Sequence, residues 1–106
     1  MSDIIYPPIH PGEILLEVYM APLGLSQNKL AEALDVDPGR VNRIVTGKSG
    51  ITADSALRLA RYFGTTPQLW MNLQAKYDLE VAKTKKAAEI EKKVKIFPRG
   101  TLTVPV

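Results

Sequence analysis

Cysteine is absent from the 106 residues, and histidine appears once, at His10. Disulfides and thiolate chemistry are thereby excluded, and a zinc site would have to be built almost wholly from carboxylates. No resident metal or other cofactor is expected. No apolar run approaches the roughly 18 residues that a membrane helix needs. The start, Met1-Ser2-Asp3, has no basic stretch leading into an apolar one, so no secretion signal is expected and the expected location is cytoplasmic. What remains is ordinary: 45% hydrophobic and 24% charged residues argue against a disordered or fibrous chain. The length suits one domain with a core of its own.

The net charge of +3 is mildly favourable for nucleic acid and weak by itself. Its distribution says more. Up to Leu25 the only charges are Asp3, Glu13 and Glu17. From Lys76 onward Lys83, Lys85, Lys86, Lys92, Lys93, Lys95 and Arg99 outweigh Asp78, Glu80, Glu89 and Glu91.

Proline, glycine and capping residues divide the chain into helices. Pro11, Gly12 and Glu13 open a run in which Ile14, Leu15, Val18 and Tyr19 recur at helical spacing, closed by Pro22 and Gly24. Ser26 suits the N-cap of a second helix with Leu30, Ala31 and Leu34 inside. Asp37-Pro38 pairs a cap with a proline at the first helical position, predicting a third helix through Val41, Ile44 and Val45 to Gly47. Thr52 caps a fourth, packed by Ala56, Leu57, Leu59, Ala60 and Phe63 and ended by Gly64, and Asp54 in its first turn suits the helix dipole. Thr66-Pro67 starts a long fifth helix toward Val94, dense in apolar residues through Leu69, Trp70, Leu73 and Tyr77. A thinner stripe follows at Ala87, Ile90, Val94 and Phe97, and alternating Leu102, Val104 and Val106 suit a short strand or a disordered tail. The expected fold is therefore all-α: a five-helix domain over residues 1–80, and a helical extension and tail over 81–106.

The second and third helices carry a helix-turn-helix pattern. A close crossing needs a small residue, and Ala31 supplies it. A sharp turn needs a residue that tolerates positive φ, and Asp35 does so better than most. Val36 anchors the turn, and Val41 and Ile44 hold the next helix to the core. If those residues face inward, Gly39, Arg40, Asn42, Arg43 and Thr46 face outward. Arginine and asparagine make paired hydrogen bonds to guanine and adenine edges in a major groove, and Gly39 lets a duplex approach closely. Ser26, Gln27 and Asn28 open the preceding helix, whose free amides suit a phosphate. Lys48 and Ser49 follow the third helix as further backbone contacts. Gln27 suits phosphate or a neighbouring amide better than a base. The competing reading, a merely solvated face, is weakened by the position of this face on the second helix of the motif.

Between Ser26 and Lys48 the basic residues Lys29, Arg40, Arg43 and Lys48 barely exceed Glu32, Asp35 and Asp37. One copy neutralises few phosphates, and affinity depends steeply on that number. A homodimer on a palindromic operator, with half-sites about 34 Å apart, would make up the deficit.

The stretch from His10 to Leu79 resembles the HigA-type antitoxins, a branch of the XRE/lambda-repressor-like family. The resemblance rests on His10-Pro11-Gly12-Glu13-Ile14-Leu15, on Leu25-Ser26-Gln27, and on Val41 to Lys48. It continues through Ile51 to Ala60, Phe63 to Gln74, and Tyr77-Asp78-Leu79. It implies a lambda-repressor-like domain that dimerises and represses its own operon through the helix bearing Arg40, Asn42 and Arg43. It also implies neutralisation of a HigB-like toxin, a small ribosome-dependent messenger-RNA interferase. Asp35 departs from the glycine or other small residue that relatives often carry, and the chain beyond Lys83 is poorly covered.

Other readings are weaker. His10 lacks a partner for catalysis and suits capping or packing. Glu13 and Glu17 read as dipole partners rather than a metal pair. Trp70 and its neighbours read as core. The stripe of Ala87, Ile90, Val94 and Phe97 is either a solvated face or a seam for a second subunit or the toxin. No cluster of carboxylates and no histidine–nucleophile pair points to an enzyme. A stand-alone repressor without a toxin remains the principal alternative.

Overall fold

The structure, a computed structural model, describes residues 7–98. Five helical elements and no strand are found among the described residues. Helix α1 begins as Pro11–Ile14, and its axis continues through Leu15–Met20 and a last tight turn at Ala21–Leu23. Helix α2 is Gln27–Leu34, α3 Pro38–Val45, α4 Ala53–Phe63 and α5 Pro67–Lys93.

Local chemistry sets each start. The hydroxyls of Ser26, Thr52 and Thr66 accept from the amides of Lys29, Ser55 and Leu69, at 3.1, 3.2 and 3.1 Å. The Asp37 carboxylate accepts from Gly39 N at 2.9 Å. The imidazole of His10 does the same for α1, its Nδ1 accepting from Gly12 N at 2.9 Å. Each such bond satisfies an amide that the helix itself leaves free. Gly24 and Gly64 close α1 and α4 in the left-handed region.

The middle of α1 departs from the expected spacing. Leu15–Met20 is wound as a π-helix, with Ala21 N donating to Leu16 O five residues back. A wider turn brings residues five apart onto one face. Leu15 and Met20 are accordingly both buried, while Val18, expected inside, is 56% exposed. Leu57 is a second correction. It was expected to pack α4 but is 60% exposed, because Ala56, Leu59 and Ala60 already fill the inner face.

The core lies between α1, α2, the inner face of α3, α4 and the first half of α5. Trp70 is fully buried, its indole N–H donating to Thr65 Oγ1 at 2.8 Å. Tyr19 stacks obliquely on both Phe63 and Trp70, with ring centroids 5.0 Å apart in each pair. His10 meets Tyr77 edge-on at 4.9 Å, so this side chain both caps and packs.

Helix α5 passes from one environment into another without a break. Leu69, Met71 and Leu73 pack against the core, but Leu79, Ile90, Val94 and Phe97 are exposed. Its 27 residues make a rod of about 40 Å, which accounts for the 56 Å long axis of the molecule. Regular structure ends at Lys93, and residues 95–98 are irregular. Leu102, Val104 and Val106 lie outside the described residues.

Candidate nucleic-acid interface

The turn between α2 and α3 has the geometry that its residues suggest. Asp35 adopts φ 57° and ψ 50° and is the one non-glycine residue with positive φ among those described. Its amide bonds back to Glu32 O, and Val36 N bonds to Ala31 O at 3.0 Å. Arg58, on α4, closes the same corner: its Nη1 donates to Leu34 O at 2.8 Å and to Asp35 O at 3.2 Å. Ala31 is fully buried at the crossing, and Val36 packs on the core.

Helix α3 is held to the body by Val41 and Ile44, both buried, with Val45 half-buried beside them. At about 100° per residue, Gly39, Arg43 and Thr46 fall opposite that anchored face, with Arg40 and Asn42 on its two flanks. The flanks are tied to different helices. On one side Asn42 Nδ2 donates to Gln27 Oε1 at 3.0 Å, joining α3 to the first turn of α2. On the other, Arg40 forms an ion pair with Asp54 and donates to Ser55 Oγ at 3.0 Å, both on α4. Between them Arg43 is exposed and its guanidinium has no partner among the described residues. The structure thus gathers Gly39, Asn42, Arg43 and Thr46 on one face with Gln27 beside them, and draws Arg40 toward α4.

Gly39 has a local use as well. A Cβ there would lie 2.7 Å from Asp37 Oδ2 and 3.2 Å from Arg43 Nη1. Its bare Cα therefore makes room for the capping carboxylate and the arginine. Thr46 turns its hydroxyl back onto its own helix, donating to Asn42 O at 2.7 Å. Ser26 and Asn28 are exposed at the start of α2, and Lys48 is exposed beyond α3. Ser49 is half-buried; its amide and that of Lys48 both bond to Arg43 O, at 3.0 and 2.8 Å. Of these expected phosphate contacts, Gln27 lies beside Asn42 on one flank of α3, and Lys48 and Ser49 follow its C-terminal end.

Two supports escaped the sequence reading. Gln74 on α5 accepts from Ile51 N at 2.7 Å and donates to Asp78 at 3.0 Å, pinning the loop after α3. Gly50 lies directly beneath its amide, where a Cβ would come within 2.8 Å. Nothing in the spacing of Gln74 advertises this bond across 23 residues. The second support is Asp54 with Arg58, bonded at 2.8 Å. Their separation of four residues is a recognisable helix pair. The Arg58 and Arg40 guanidiniums hold the Asp54 carboxyl below its ordinary 3.8.

No group of three or more metal-ligating side chains occurs among the described residues. Nor is any helix among them long and apolar enough to cross a membrane.

A buried-face helix set against a small-residue crossing through a left-handed turn defines a helix-turn-helix domain. The chain belongs to the helix-turn-helix (HTH_3) family, which it matches over residues 16–70. This is a family of DNA-binding regulators and antitoxins, not of enzymes. Virulence-associated protein I of Dichelobacter nodosus is 58% identical over 80 residues, 76% of this chain and 74% of that protein. An addiction module antidote protein of the HigA family from Coxiella burnetii is 48% identical. The match covers 87% of this chain and all of that one, with a TM-score of 0.83. The Pseudomonas aeruginosa antitoxin HigA, solved with the higBA promoter, is 45% identical over 83% of this chain and 96% of its own, with a TM-score of 0.81.

Proposed function

We propose that this chain is a cytoplasmic antitoxin that binds its own operator as a homodimer and neutralises a HigB-like toxin. The observation that carries the DNA half is Arg43, without a partner among the described residues and central on the outward face of α3, with the Asn42–Gln27 amide pair beside it. A free guanidinium suits the paired acceptors of a guanine edge, and an amide steadied by a second amide suits adenine. Gly39 and Thr46 complete the face toward bases. Ser26, Gln27, Asn28, Lys48 and Ser49 supply phosphate contacts around it. A HigA relative was solved with promoter DNA, which supports the same use of this helix here.

Pairing of Arg40 with Asp54 reduces the free positive charge of a single copy still further. That strengthens the case for two copies on a palindromic operator. Residues 81–106 then serve as a second working region, with Ala87, Ile90, Val94 and Phe97 as the seam for the partner subunit or the toxin.

Fluorescence anisotropy with a duplex from the chain's own promoter tests the DNA half. Arg43→Ala should weaken binding by about 1–3 kcal/mol, and indifference to promoter sequence would refute operator recognition. Co-expression with the neighbouring gene tests the other half. A co-purifying small basic ribonuclease-like protein supports the antitoxin reading, and its absence leaves a stand-alone repressor.

A further inference from the structure

We propose that Asp54 is a positioning residue of the DNA interface: it holds Arg40 against α4, so that the recognition helix meets the duplex with that arginine's charge already neutralised. The inference rests on the DNA-binding reading above and adds a device for selectivity.

The geometry is over-determined from the protein side. Arg40 Nη2 reaches two acceptors, the Asp54 carboxylate and Ser55 Oγ at 3.0 Å. Ser55 is buried, and its hydroxyl also accepts from Thr52 Oγ1 at 3.2 Å, so that acceptor is fixed. Asp54 is fixed too, because Arg58 Nε grips the same Oδ2 at 2.8 Å while Arg58 itself is anchored on the carbonyls that end α2. The carboxylate cannot follow Arg40 outward without leaving Arg58. Both acceptors hold the same nitrogen, so the guanidinium stays against α4 with its charge already matched by the Asp54 carboxylate.

Its place on the flank of α3 explains why this matters. An arginine at the rim of a recognition helix reaches backbone phosphates irrespective of sequence. Each such contact raises affinity for all DNA alike and steepens its salt dependence. Withholding one weakens binding to every wrong site while leaving Arg43 and Asn42 to read bases, and discrimination is a difference of affinities.

The full chain and its Asp54→Asn, Arg40→Gln and doubly substituted forms would be titrated with a promoter duplex and a random duplex across a series of salt concentrations. Asp54→Asn should tighten random-duplex binding roughly ten-fold at low salt and steepen the log–log salt slope by about 0.9 per subunit. Arg40→Gln alone should change binding less than about two-fold, yet when added to Asp54→Asn it should abolish the whole gain. An equal loss from Arg40→Gln in both backgrounds would overturn the proposal, since Asp54 would then act only as a repelling charge. A change of salt slope is not produced by loss of stability, and melting of each variant verifies its folding. If the native chain binds neither duplex, the operator reading fails. The clasp is then read from the Arg40 guanidinium resonances, slowed in the native chain and freed by Asp54→Asn; identical signals would refute it.

Discussion

The first and second halves of α5 both carry apolar residues at helical spacing, densely and then thinly, and meet opposite fates. From Leu69 to Leu73 the apolar residues close over a core that already holds Leu15, Leu30 and Leu59. From Leu79 a thinner stripe runs out past the body through Ile90, and on to Val94 and Phe97 beyond the helix end, with Leu79 60% and Ile90 50% exposed. Periodicity identifies which side of a helix is apolar. Whether anything lies against that side depends on the other elements, and the four helices before α5 extend only far enough to cover half of it. Cut the same stripe at Tyr77 and one part is architecture, the other an available surface.

That contrast can be broken most forcefully in the body. Trp70→Ala removes the largest fully buried side chain and should cost about 3–5 kcal/mol, seen as a collapse of the thermal transition. Gly12→Ala drives a Cβ into the main-chain oxygen of Ile44. Backbone against backbone cannot yield as a side chain can, so a loss of about 1–3 kcal/mol is expected in urea titration, and native-like stability would show the contact to be looser than described. Thr66→Ala deletes the cap of α5 and should cost about 1 kcal/mol, again by denaturation.

In the outer half the expected effects are smaller. Ile90→Ser should stay within about 0.5 kcal/mol in dilute solution. A larger, concentration-dependent loss would show that the stripe is covered by another chain, and so sharpen the comparison into a map of the interface. The smallest effect is electrostatic. Because the folded Asp54 carboxyl titrates below its unfolded 3.8, the native chain should exceed Asp54→Asn in stability above that pH. The difference should disappear as acid protonates the folded carboxylate. Paired melts across the acid range would reveal the convergence, and parallel curves would contradict it.

Much of the scaffold was legible because it is local. Ser26, Asp37, Thr52 and Thr66 each bond amides two or three residues on, so neighbours in the chain suffice to place α2 to α5. Asp35 was readable for the same reason, a turn needing one tolerant residue. Val18 misled because a π-turn shifts the repeat from four residues to five, and no residue type marks that change. The direction of Arg40 was illegible for a different reason: its partners are 14 and 15 residues away on another helix. A helical wheel places a side chain on a flank, but only packing decides which neighbour claims it. The same holds for Gln74, whose partner lies on a loop far behind it.

The closeness of Gly12 to Ile44 O sets how α3 is mounted. Main chain rests on main chain there, with no flexible side chain between to act as a cushion. The tilt of the arginine-bearing helix is therefore built in before any encounter. Whatever α3 meets is offered one preset angle, and the adjustment left to this helix is in its side chains alone.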